Sequence, residues 1–307
     1  MPSRDIPEAL RSRPFLISEA RGAGVSRRTL RGARFRAIAR GVYATSAVPE
    51  SHATLVRATL LTLPEDTIAT SVTGLRLYGV LVGVELPLRF VSTHLHQIRR
   101  RDVQVTRVSR LPQHRDQITI PEHCWMAAAG HLNLLELVTA GDWLLRSRRT
   151  TLAKLESYVR SNSGRGCRLA RAAIGMVRER VDSPRETWLR LCLVLAGLPT
   201  PECNLVIGDD RGPIGRVDLV YLAFKIIIEY EGDQHRTDRA QWNRDIDRHE
   251  DFARDHWTLI RVTSERLRWP RQVVRTVFAA LRSAGYRGPE PNFDQAWSDL
   301  FGQRSDL

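Results

Sequence analysis

Gly215-Arg216-Val217-Asp218-Leu219-Val220-Tyr221-Leu222 is followed, after only Ala223-Phe224, by Lys225-Ile226-Ile227-Ile228-Glu229-Tyr230-Glu231. Both stretches read as strands from their β-branched and alternating residues. A connection this short demands an antiparallel hairpin. With the turn centred between residues 223 and 224, Asp218 falls directly opposite Glu229. Opposed side chains have Cβ atoms about 4.5–5.5 Å apart.

Two facing carboxylates repel and weaken a sheet. The Ile226-Ile227-Ile228 run marks a strand buried on both faces, where an uncompensated charge costs more. A divalent cation resolves the conflict, and carboxylate oxygens at this separation suit Mg²⁺ or Mn²⁺. Glu231, two residues beyond Glu229, points to the same face. The simpler account is that one acid pairs with an arginine such as Arg216 or Arg261.

Outward from the hairpin, Ser183-Pro184-Arg185-Glu186 has the form of a capping box, Ser at N-cap, Pro at N1 and Glu at N3. The helix it opens carries apolar residues at Leu189, Cys192, Leu193 and Ala196 and stops at Gly197. On the other side, Asp238–Asp255 reads as a helix with Trp242, Ile246, His249 and Ala253 in one stripe, and Thr258–Thr263 as a strand. A strand–helix–strand crossover implies parallel pairing, hence a mixed sheet flanked by helices.

Asp218, Glu229-Tyr230-Glu231-Gly232-Asp233-Gln234-His235, Arg244-Asp245-Ile246-Asp247-Arg248 and Trp257-Thr258-Leu259-Ile260-Arg261-Val262-Thr263, in that order, resemble the DUF559 family. That family is similar to Vsr-like (very-short-patch-repair) endonucleases of the PD-(D/E)XK superfamily. The resemblance spans Ser183 to Leu281. It implies a restriction-endonuclease-like domain in which Asp218 and Glu229 bind the metal. Glu186 would be an accessory acid, a role its place in the capping box rivals. His235 occupies the position of a downstream site histidine able to act as general base, or is a turn residue. The superfamily's lysine two residues past the second acid is here Glu231, which puts catalysis in question more than fold. Arg244 and Arg248, at i,i+4, either contact DNA or pair with Asp245, Asp247 or Asp251.

At the other end, Ile17–Arg21 reads as a short helix stopped by Gly22 and Gly24, and Ser26 as the N-cap of a second helix running to Arg34. Arg27, Arg28 and Arg31 share a face of it. Phe35–Tyr43 reads as strand bent at Gly41. Pro14-Phe15 with Arg40-Gly41-Val42-Tyr43 resembles the N-terminal winged helix of AbiEi-type antitoxins. This likeness implies DNA contact through Arg27, Arg28, Arg31 and Arg40, and leaves a toxin or other protein partner open.

The chain of 307 residues is expected to hold segments 1–50 (winged helix), 51–180 (α+β) and 181–307 (nuclease fold), α+β overall. Its net charge of +13 divides as +6, +9 and −2 over those segments, so attraction for a polyanion belongs to the first 180 residues. Every basic residue but Lys154 and Lys225 is arginine, so part of this charge reflects a GC-rich coding bias. In the middle segment, Ser51–Leu63, Thr70–Tyr78, Leu132–Leu145 and Leu152–Val159 read as helices, and Leu88–Thr93 and Val103–Val108 as strands. Four scattered cysteines argue against zinc and disulfides and for a cytoplasmic setting. No apolar run of about 18 residues suggests a membrane span, and the start lacks a signal pattern. The expected function is metal-dependent DNA cleavage; the alternative is a DNA-binding regulator built on a degenerate nuclease fold.

Overall fold

The computed structural model describes residues 6–95, 97–210, 212–231, 248 and 250–302. It is α+β, with helices and three sheets. The chain divides into two compact units, Met1–Leu132 with Ser157–Ala170, and Asn133–Glu156 with Arg171–Leu307. Residues 133–156 and 171–180, read with the middle segment, thus count with the C-terminal unit.

In the first unit, β1 (Phe15–Leu16), β2 (Phe35–Ala39) and β3 (Val42–Thr45) form an antiparallel sheet in the order β1-β3-β2. Phe15 pairs with Tyr43 and Leu16 with Val42. Gly41 makes the β2–β3 turn at φ +78°, where a Cβ would be strained. Ser26 Oγ accepts the Thr29 N–H and caps helix Arg27–Leu30, which ends before the Arg34 expected from sequence. Leu10, Phe15, Ala20, Leu30 and Phe35 close a small core, with Phe15 edge-on to Phe35.

The second sheet of this unit is mixed, in the order β6-β5-β4-β8-β7: Ile68–Ala69 (β4), Leu88–Ser92 (β5), Val103–Arg107 (β6), His114–Arg115 (β7) and Ile118–Thr119 (β8). Helices His52–Leu60 and Ser71–Leu77 lie near the expected bounds.

The C-terminal sheet has the order β12-β11-β10-β9: Glu202–Asp209 (β9), Gly212–Tyr221 (β10), Ile226–Glu231 (β11) and Thr258–Thr263 (β12). Leu219 pairs with Ile228, Val220 with Ile227 and Tyr221 with Ile226, the register expected from the sequence. The connection differs. It is four residues long, a 3₁₀ turn at Leu222–Phe224 closed by Lys225 in the left-handed region at φ 50°. Strand β12 runs parallel to β11, with Glu229 beside Arg261. Helices Pro184–Leu195 and Pro270–Ser283 flank this sheet. Residues 250–254 are helical, and Phe252 seals a core with Val217, Val220, Ile227 and Ile207. Phe252 is buried and Ala253 exposed, so the inward stripe differs from the one expected; Trp242, Ile246 and His249 lie outside the described residues.

Candidate functional site

Strand alternation and the β10–β11 register put Asp218, Val220, Ile227 and Glu229 on one face of the sheet. Phe252 packs in one cluster with Val220 and Ile227 of this face. The ladder's paired residues end at Leu219 and Ile228. Beyond them Asp218 Oδ2 accepts the Tyr230 N–H at 2.8 Å, so the carboxylate takes over where the strands part. Burial pushes the Asp218 carboxyl up from its ordinary value, and the Tyr230 N–H only partly offsets this. Glu229 is pushed up by burial as well, against the pull of Arg248 and with a contribution from the Asp218 charge. Glu186 is raised first by burial, and the Asp218 charge adds to it. Three acids from a helix and two strands therefore share one electrostatic neighbourhood.

Glu186 is 7% exposed and is held in place. Its Oε2 accepts the Asp182 N–H at 2.9 Å and the Asn204 side-chain amide at 2.5 Å. Ser183 Oγ accepts the Glu186 N–H, so Glu186 does sit at N3 of its helix. Its reciprocal bond reaches Asp182 in place of the Ser183 N–H that a capping box would use. Asn204, at φ 50° and buried, also donates to Arg180 O.

Arg248 changes the expected picture. Among the described acids it pairs with Glu229, donating through Nη2 to Glu229 Oε1 at 2.5 Å; Asp245 and Asp247 lie outside the described residues. It also reaches Arg216 O through Nη1 and lies over the Phe252 ring. The two side chains are 26% and 15% exposed. The physical reason is the i,i+4 spacing, which puts Arg248 on the same side of its helix as Phe252, whose ring it overlies. Gly215 makes room for it, since a Cβ there would lie 2.8 Å from Arg248 Cδ. The simpler account of a paired acid thus holds for Glu229, with a different arginine; Arg216 pairs with Asp182 at 2.6 Å. Glu231 is exposed at the end of β11, beside Thr263 of β12. His235 and Arg244 lie outside the described residues.

Asp218 and Glu229 are the residues that would hold a divalent cation, with Glu229 already engaged by Arg248. Both are partly buried and supply carboxylate oxygens, the hard donor type that Mg²⁺ or Mn²⁺ takes. Among the described residues no three acid, histidine or cysteine side chains form a closed ligand cluster.

In the N-terminal unit Arg27, Arg28, Arg31 and Arg40 are all exposed. The first three lie on or next to helix Arg27–Leu30, and Arg40 is in the β2–β3 turn. No ion pair with an acid engages these four among the described residues.

The chain is similar to two uncharacterized proteins of Mycobacterium tuberculosis, MT2308 and Rv2248, each 27% identical over 151 residues. That stretch is 49% of this chain and 56% of either relative, so the chain spans about half the length of the curated relatives it matches. No family model matches. No solved structure matches. No described helix is long and apolar enough to cross a membrane.

Proposed function

We propose that the chain is a cytoplasmic, divalent-metal-dependent DNA endonuclease whose C-terminal unit is of the DUF559, Vsr-like PD-(D/E)XK kind. One observation carries the reading: Asp218 and Glu229 lie on a shared sheet face, both raised by burial, with the Asp218 charge felt by Glu229 and Glu186. Asp218 and Glu229 would hold Mg²⁺ or Mn²⁺, which polarises a phosphodiester and acidifies water when bound. Tyr230 orients Asp218 through its N–H, and Asn204 orients Glu186. Arg248 supplies beside Glu229 a positive charge of the kind the superfamily draws from a lysine. His235 is the candidate base. Arg27, Arg28, Arg31 and Arg40 would grip phosphates from a winged helix of the AbiEi kind.

Supercoiled plasmid incubated with the full chain and Mg²⁺ or Mn²⁺ should be nicked, and Asp218→Ala should abolish nicking. Equal nicking by both proteins, or none by either across plasmid, linear and mismatched DNA, refutes the reading.

The Arg248–Glu229 pair also favours a second reading, a non-catalytic DNA-binding regulator, alone or with a toxin partner, whose site is closed by its own arginine. Salt-sensitive DNA binding that survives loss of Asp218 and Glu229, with no cleavage, is its signature.

A further inference from the structure

Trp269 is 63% exposed, an unusual state for so large an apolar side chain. It stands between the 3₁₀ turn Arg266–Arg268 and helix Pro270–Ser283, directly after β12. Within three residues of it in sequence stand Arg266, Arg268 and Arg271, all exposed. Residues 265–272 carry these three arginines against Glu265 alone, a net +2 inside a segment, 181–307, whose net is −2. Arg266 spends Nη1 on Arg261 O and Arg271 spends Nη2 on Ser298 Oγ, while Arg268 has no side-chain partner among the described residues. One helical turn beyond Trp269, Gln272 borders a pocket of about 120 Å³ with Ile260, Val262, Val273, Thr276 and Arg266.

We propose that this surface binds single-stranded DNA, with the Trp269 indole stacking on an unpaired base and Arg266 and Arg268 holding the flanking phosphates. An exposed indole with three exposed arginines within three residues of it in sequence offers charge where a protein interface core is apolar. Stacking on an aromatic face combined with backbone charge is how strands without sequence preference are held. The platform follows the carboxyl end of β12, the end at which Glu231 and Thr263 pair. Duplex DNA offers no free base face, so the substrate of the proposed nuclease would be a strand with unpaired bases. This last step rests on the endonuclease reading; the binding surface does not.

Fluorescence anisotropy of a labelled oligothymidylate and of a duplex of equal length, with the full chain, tests it. Trp269→Ala should weaken the single strand by about tenfold or more and lower the ratio of single-strand to duplex affinity, whereas Trp269→Phe should retain most of it. Arg268→Ala should reduce the single-strand salt slope by about 0.7. A change of less than twofold in Trp269→Ala, or equal losses on both DNAs, overturns the proposal. So does a change of oligomeric state in Trp269→Ala on size-exclusion light scattering without a change in single-strand affinity. Lost strand binding in Trp269→Ala supports the surface even if no DNA is ever cut. Cleavage lost in Asp218→Ala but untouched by Trp269→Ala, at unchanged affinity, removes the surface and keeps the nuclease.

Discussion

Asp142→Ala probes what fixes the helix that carries Glu186. Asp142, on helix Leu134–Arg146, and Arg190, on helix Pro184–Leu195, are 2% and 1% exposed. Asp142 Oδ2 accepts from Arg190 Nη2 and from Thr187 Oγ1, both at 2.8 Å, and Oδ1 accepts the Arg178 N–H at 2.8 Å. Burial pushes the carboxyl up despite these donors. Truncation would strand a buried guanidinium, a hydroxyl and an amide at once. Breaking a buried pair from one side costs about 3–5 kcal/mol. At about 2–4 °C per kcal/mol for a domain of this size, Tm should fall by roughly 6–20 °C. Replacing both members by apolar residues, Asp142→Leu with Arg190→Met, should recover most of that loss, because no charge is then left buried alone. Scanning calorimetry of the three proteins decides. A single variant within 1 kcal/mol of the wild type, or a double variant worse than the single, would refute the reasoning.

Other outcomes follow from the same geometry. In Asp218→Asn the amide oxygen can still accept the Tyr230 N–H while the charge is gone. The folded pKa of Asp218 lies above its unfolded value, so the native state holds the extra proton and wild-type stability falls as pH rises through that window. The variant should therefore gain on the wild type between acid and neutral pH in urea denaturation, and a gap constant with pH would contradict this. Arg248→Ala frees Glu229 Oε1, so Mn²⁺ affinity should rise by up to about fivefold, the worth of a partly exposed ion pair. Weaker Mn²⁺ binding would show that Arg248 holds Glu229 in place for the ion instead of competing with it for Oε1. Changing Arg27, Arg28 and Arg31 to Ala should lower the slope of duplex affinity against salt by about 0.9 per arginine, and an unchanged slope would remove them from the interface.

How much was legible beforehand depended on how local the signal was. The hairpin register followed from two β-branched runs on either side of a short gap, because pairing is symmetric about the turn centre. The turn itself was misjudged: Ala223-Phe224 carries no turn signature, and the left-handed residue is Lys225, whose type does not announce it. The parallel partner β12 followed from the crossover rule. Strands β4, β7 and β8 are two residues each, too short to show a period. Ser26 and Ser183 were readable as caps because a hydroxyl before a helix has one obvious use. The Arg248–Glu229 pair was not, since Arg248 also had aspartates nearby in sequence and only the docking of its helix on the sheet chooses among them. Asn204 as a partner of Glu186 left no local trace either.

Calorimetric titration of the intact chain with Mn²⁺, beside Asp218→Asn and Glu229→Gln, bears most directly on whether these two carboxylates make a metal centre. The wild type should bind the ion saturably and both variants should lose that binding while remaining folded by circular dichroism. Equal heats from all three proteins, or no saturable heat from the wild type, would contradict the account.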